Sequence, residues 1–409
     1  MITVVLVLGT LLSASMAEIE EFYRWKVLNY TNVPDDAFSD AYFNKYIPES
    51  NLPNGAVHHN GRVFITVPRR RIGVLSSLNY IEVDHRDKDG NEPLLKPYPD
   101  YETNRLDSLE PNSNRIVSIL RPTVDECDRL WFIDSGVVSS YSSTRQRMNQ
   151  PSLWVIDLKT NQKVRRFEIP DANDNGYASI TVDAEAENCN DAYAYVPDLV
   201  RRVLSVYSFR EDRMWTFKHN YFSFDPLLGD LNVNGLKFQW DDGIFSVTLG
   251  TRQRNGFRTA YFHPMISNNE FTVNTQVLQN RSNSLREYHN DDFNLLGYRG
   301  PNKQSTKHAF DPKTEIMVYA EIARNGLGCW NSKLEFSEAN HDSMGQSDVL
   351  MFYPTDISID ENGVMWSLTN SFPRWLYGSL NHSEYNFRVW RSPVQEAIAG
   401  TKCDLHRAT

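Results

Sequence analysis

A short strand–turn–strand unit recurs six times along the chain, and this recurrence limits the fold more than any other feature. In each copy an apolar strand runs into a turn rich in Asp, Asn or Gly, and a second apolar strand leaves it. The copies span residues 56–65, 123–134, 180–196, 236–247, 308–319 and 357–368. Asp, Asn and Gly tolerate the left-handed or side-chain-capped positions of a tight turn. The flanking β-branched and aromatic residues suit strands that pack on both faces. After most copies a second strand pair follows, as at 153–157 with 164–169 and at 203–209 with 214–217. Four strands per unit, at a spacing of ~50–70 residues, is the arithmetic of propeller blades. The expected fold is all-β, a six-bladed β-propeller.

The chain has 409 residues, with 52 acidic against 42 basic side chains and a net charge of −10. An acidic surface repels phosphate backbones, so nucleic acid is not an expected partner. Arg69, Arg70 and Arg71 form the main basic cluster and read as a solvated loop after a strand. An apolar run over 4–12, followed by Ser13, Ala14, Ser15, Met16 and Ala17, reads as a signal peptide cut after Ala17. That run is too short to span a bilayer. The expected organisation is a signal peptide at 1–17 and a single propeller domain at 18–409, secreted and extracellular. Asn29, Asn280 and Asn381 open glycosylation sequons. The four cysteines, Cys127, Cys189, Cys329 and Cys403, allow three disulfide pairings. Cys127–Cys189 with Cys329–Cys403 is favoured, because each bond then closes a local loop between neighbouring repeats.

Phosphate-binding loops, zinc-protease helices and nucleophile elbows have no match in the sequence. His58-His59 is a poor metal candidate in a blade turn, and neither a metal nor a cofactor is expected. Asp134, Asp198, Glu321 and Asn370 each lie at or just after an inner-strand copy. They read either as a polar ring at the mouth of the central channel or as caps for loop amides. Trp131, Trp240, Trp330 and Trp366 are expected to fill blade interfaces. Phe372, in Asn370-Ser371-Phe372-Pro373, stands where a side chain reaches the channel.

The stretch 354–360 with Trp366 and 370–373 resembles the yellow and major royal jelly family. So do 127–131 with Asp134-Ser135-Gly136, 229–233, 238–240, 328–330 and 401–405. The resemblance runs from Phe22 to the C-terminus and is nearer the yellow branch. One departure is Gly73-Val74-Leu75-Ser76-Ser77-Leu78, where the family tends to place a Pro and a Thr. The resemblance implies a secreted six-bladed propeller linked to cuticle and melanin pigmentation, some members being dopachrome-converting. It also implies a channel site for a small aromatic amine or a melanin precursor, with Thr355, Asn370 and Phe372 at the positions that contact an amine in salivary relatives. For dopachrome isomerisation, Asp134 and Glu321 are the candidate bases. A metal-dependent lactonase is suggested by six-bladed architecture alone, and a structural or signalling role for the outer surface stands beside it.

Overall fold

Four of the six repeats each build one four-stranded antiparallel sheet from consecutive strands, a fifth does so around an inserted hairpin of Val137–Val138 with Gln146–Arg147, and the sixth borrows a strand from the other end of the chain. The computed structural model describes residues 19–38, 45–83, 91–106, 110–141, 145–170, 176–289 and 291–405. The expected signal peptide at 1–17 lies outside them. Innermost strands are Gly55–His59, Thr123–Val124, Thr181–Asp183, Ile244–Leu249, His308–Asp311 and Pro354–Ile359, which begin blades 1 to 6 in order. Neighbouring inner strands contact one another around the ring, giving the six-bladed β-propeller.

Closure is made by strand pairing. Glu20–Trp25 lies antiparallel to Phe387–Pro393 as the outermost strand of blade 6, so the two ends of the chain complete one sheet. Trp25 is fully buried there and its indole donates to the Pro93 carbonyl at 2.8 Å. At the inner edge, the Ala56 N–H of blade 1 donates to Asp356 of blade 6 at 2.9 Å, and His58 pairs with Asp360 at 2.8 Å.

The recurring Asp has a local physical explanation. Asp125 accepts N–H bonds from Cys127 and Arg129 and the indole N–H of Trp131. Asp360 repeats this with Asn362, Val364 and Trp366. One carboxylate caps the turn and anchors a tryptophan six residues on, with a positive φ at the residue three after it, Asp128 in one blade and Gly363 in the other. Trp131, Trp330 and Trp366 are buried against neighbouring blades as expected.

The fourth copy departs from its expected form. Residues 236–247 are not one inner hairpin: Leu236–Gln239 pairs back onto Asp230–Val233 as a separate two-stranded hairpin. Asn234 and Gly235, both at positive φ, make its two-residue turn. The inner hairpin of blade 4 is Ile244–Leu249 with Thr259–Pro264, and Trp240 is only half-buried beside the hairpin.

The disulfides are Cys127–Cys189 and Cys329–Cys403. The first links the inner turns of blades 2 and 3, and the second ties the C-terminal tail to the third strand of blade 5. Asn29, Asn280 and Asn381 are exposed. Among the described residues no helix is long and apolar enough to cross a membrane.

Replacing Trp25 by Ala removes the largest side chain of the closing strand and leaves a cavity. The expected cost is about 3–5 kcal/mol, seen as a lower urea midpoint with an unchanged slope. An unchanged midpoint would mean that this strand does not hold the ring.

Candidate functional site

The residues just upstream of the inner strands all lie at one end of the channel, because every inner strand enters from that end. They are Asn54, Arg121, Asp242, Lys307 and Tyr353, contributed by blades 1, 2, 4, 5 and 6. The loops after the second strands add Arg70, Tyr141 and Phe372 at the same end. Together they form a mouth lined by aromatic rings and charged groups.

The aromatic wall centres on Phe372. Its ring lies 5.8 Å from Tyr141, 5.9 Å from Trp240 and 5.9 Å from Tyr353, centroid to centroid. The Trp240 indole donates to the Tyr377 hydroxyl at 2.6 Å, joining the 230–239 hairpin to the short helix Phe372–Tyr377. Arg70 spreads its guanidinium over Phe372 at 4.7 Å.

Arg121 bolts the throat beneath. Its guanidinium donates to the Thr355 carbonyl at 2.9 Å, the Thr355 hydroxyl at 3.1 Å and the Ala178 carbonyl at 2.8 Å, and it stacks on Phe245. It thereby joins blades 2, 3, 4 and 6 across the axis. Below the bolt lies a cavity of ≈ 410 Å³ open toward the inner turns, with Lys307 and Asp356 at its inner end. Burial pulls Lys307 down to about 8, against the opposing pull of Asp356.

Asp242 is the acidic group of the mouth. It sits between Trp240 and the first strand of blade 4, where Gly243 permits a close approach: a Cβ there would meet the Phe222 carbonyl at 2.6 Å. Among the described residues its carboxylate has no hydrogen-bond partner, and burial, aided by Asp241, raises it to about 6 against the opposing field of Arg121. A carboxyl group poised there exchanges a proton near neutral pH. Burial holds Tyr353 far above the usual phenol range, so it stays a protonated donor.

The residues singled out from the sequence divide between this mouth and the loops that support it. Thr355 and Phe372 are at the mouth, but the Thr355 hydroxyl already accepts from Arg121. Asn370 is a loop clamp: its amide donates to the Pro53 carbonyl and its oxygen accepts the Phe372 N–H, which sets the Phe372 ring. Asp134 accepts the N–H groups of Val117, Ser118 and Gly136 at 2.8, 2.8 and 3.0 Å, and Asp198 those of Gly176, Val200 and Arg201. Glu321 is fully buried, raised by burial, and its charged neighbours are Lys303, Arg324 and Arg299 in the seam between blades 4 and 5. Asp134 and Glu321 are therefore not brought together.

The arginine triplet is not a solvated loop. Arg69 is buried and donates to the carbonyls of Val74, Leu75, Asn104, Ile116 and Val117, and so holds the loop that departs from the family pattern. Arg71 lies over Trp375 at 3.8 Å. A guanidinium carries five donors in a planar fork, which lets it be buried where carbonyls converge.

Among the described residues two clusters have ligand types suited to a metal, His58–Asp360–Glu361 and His263–Glu270–His308. Asp360 is already committed to its turn and to Trp366. In the second cluster Arg299 sits 2.5 Å from Glu270 and neutralises it, so the group reads as an ion-pair network joining blade 4 to blade 5. Burial drives His263 down to about 3, and it also lowers His308 and brings His341 to about 3.

A sequence profile for the family described as Major royal jelly protein matches residues 117–403. The chain belongs to the major royal jelly protein family. "L-dopachrome tautomerase yellow-f" of Drosophila melanogaster is 43% identical over 419 residues, covering 96% of this chain and 96% of the relative. "Protein yellow" of Drosophila yakuba is 38% identical over 98% of the chain and 74% of the relative, and its Drosophila melanogaster counterpart is 37% identical with the same coverages.

In this member of the family, His263 keeps its proton off when folded but accepts one near 6.5 when unfolded. Its contribution to stability is present above pH 6.5 and is lost as pH falls toward 3, at up to about 1.4 kcal/mol per pH unit. Raised carboxyls such as Asp134 and Glu321 act in the opposite sense, so the informative quantity is a difference. The destabilisation caused by His263→Gln is expected to shrink as pH is lowered from 6.5 to 4. A penalty independent of pH in urea titrations would contradict the buried neutral imidazole.

Proposed function

We propose that this protein is a secreted glycoprotein of melanin chemistry that tautomerises a dopachrome-like indoline quinone at the channel mouth. The observation that carries the proposal is Asp242, a carboxyl raised to about 6 with no hydrogen bond to any described residue, facing Arg121 beside an aromatic wall. The relative named L-dopachrome tautomerase yellow-f, similar over nearly the full length of both chains, supports the reaction class. Two disulfides and three exposed sequon asparagines support the secreted state.

The steps balance without a cofactor. Phe372, Trp240 and Tyr353 hold the planar ring. Asp242 takes a proton from ring carbon, and the electron pair moves through the ring to a quinone oxygen. The positive field of Arg121 favours the charge developing there, and the Tyr353 hydroxyl donates to it. That oxygen takes up a proton to give a quinone methide, Asp242 having returned its own to solvent; loss of a second proton from the neighbouring ring carbon and protonation of the remaining carbonyl oxygen then give the isomeric catechol, with no net oxidation.

A second reading is sequestration of an aromatic amine. It is favoured by the same Asp242 carboxylate, a counter-ion for an ammonium, and by the Phe372 ring. Thr355 and Asn370 contribute less to it, since their polar atoms are engaged within the protein.

Dopachrome decay followed at the visible absorbance of the quinone separates the two. The enzyme reading predicts accelerated decay that rises with pH through about 6 and falls roughly 100-fold or more in Asp242→Asn. Dopachrome decaying at the buffer rate, with dopamine binding that Asp242→Asn abolishes, would make the protein an amine carrier.

A further inference from the structure

Among the described residues, two buried donor atoms in the mouth have no hydrogen-bond partner. Arg70 is 7% exposed and Asn54 is 1% exposed. Arg70 Nη2 donates to Asn54 Oδ1 at 2.7 Å, which leaves Arg70 Nη1 and Asn54 Nδ2 without a hydrogen bond. Leaving a buried donor unpaired costs about 1–3 kcal/mol, and more when it is charged. Native folds keep such groups where a ligand or an ordered water completes them.

Charge points the same way. Arg69 is satisfied by five carbonyls, Arg121 lies 3.8 Å from Asp356, and Asp356 also faces Lys307. Arg70 faces the phenols Tyr141, with which it shares a side-chain hydrogen bond, and Tyr353, the Phe372 ring and the like charge of Arg121. Among the described residues it pairs with no carboxylate. Three cations, Arg70, Arg121 and Lys307, thus stand against two carboxylates, Asp242 and Asp356, which leaves one positive charge for a ligand to neutralise.

We infer that Arg70 and Asn54 form a carboxylate pocket in the mouth, which selects indoline and indole substrates that carry a carboxylate over their decarboxylated counterparts. The two free donors are held next to each other by the Nη2–Oδ1 bond, as two acceptor oxygens of one anion require. Phe372 fixes the plane of the guanidinium and also offers a face to the substrate ring. The inference rests on the mouth being the substrate site, as proposed above, and adds which substrates it takes.

The test uses inert probes, so it does not depend on turnover. Binding of indole-2-carboxylate and of its neutral isostere indole-2-carboxamide is measured by calorimetry on the full mature protein. The carboxylate is expected to bind roughly 10- to 100-fold more tightly, the range of charge-assisted hydrogen bonds. That ratio is expected to fall to about one in Arg70→Met and also in Asn54→Asp, which supplies Arg70 with a carboxylate from the protein itself. Equal binding of the two probes to the native protein would overturn the pocket while leaving the mouth as the site. A ratio that survives in both variants would overturn its assignment to these residues. Failure of both probes to bind would overturn the pocket together with the reading of the mouth on which it rests.

Discussion

Pairing of Glu20–Trp25 with Phe387–Pro393 is the constraint on which the remainder of the structure depends. A blade buries its faces only against the next blade, so a six-blade ring has no complete core until its first and last repeats meet. The mouth has the same requirement. Asn54 and Arg70 come from blade 1, Arg121 from blade 2, Asp242 from blade 4, Lys307 from blade 5, and Tyr353 and Phe372 from blade 6. No two consecutive repeats contain the site, and only ring closure assembles it.

Buried guanidinium groups then do what apolar packing cannot do at the axis, where backbone carbonyls converge. Arg69 gathers five carbonyls from the loops around blade 1, and Arg121 spans the throat to blades 3 and 6 while resting on Phe245 of blade 4. Both are anchored by donors pointing at oxygen, so their charge is dispersed into the fold. Arg70 differs in leaving part of its fork open, and that difference separates a structural arginine from one available to a ligand.

Much of the fold was legible because its turn chemistry is local. Asp125 with Trp131 and Asp360 with Trp366 each solve the same hairpin within seven residues, so the repeat shows in the sequence. The fourth copy misled because Asn234-Gly235 makes a genuine hairpin two residues before the stretch taken as a strand. Closure by the N-terminal strand was not legible, since the pairing spans almost the whole chain. The site was legible only in part. Asn370 and Phe372 mark the loop that carries the Phe372 ring to the mouth, but Asp134 and Asp198 spend their oxygens on backbone amides. Asp242, Arg121 and Lys307 were missed, although each lies one or two residues before an inner strand. Aligning the six copies one step upstream of the repeat exposes them as a column.

The chemistry of the mouth follows from unequal solvation of its charges. Asp242 is raised by burial and by Asp241 while Arg121 opposes, which leaves a carboxyl that changes protonation near neutral pH beside a phenol that does not. The most direct measurement is the titration of Asp242 itself, by carbon NMR of the labelled side-chain carboxyl assigned through Asp242→Asn. The account predicts a midpoint of about 6. A midpoint at the ordinary value, near 3.8, would show a solvated surface carboxylate and contradict the role given to the mouth.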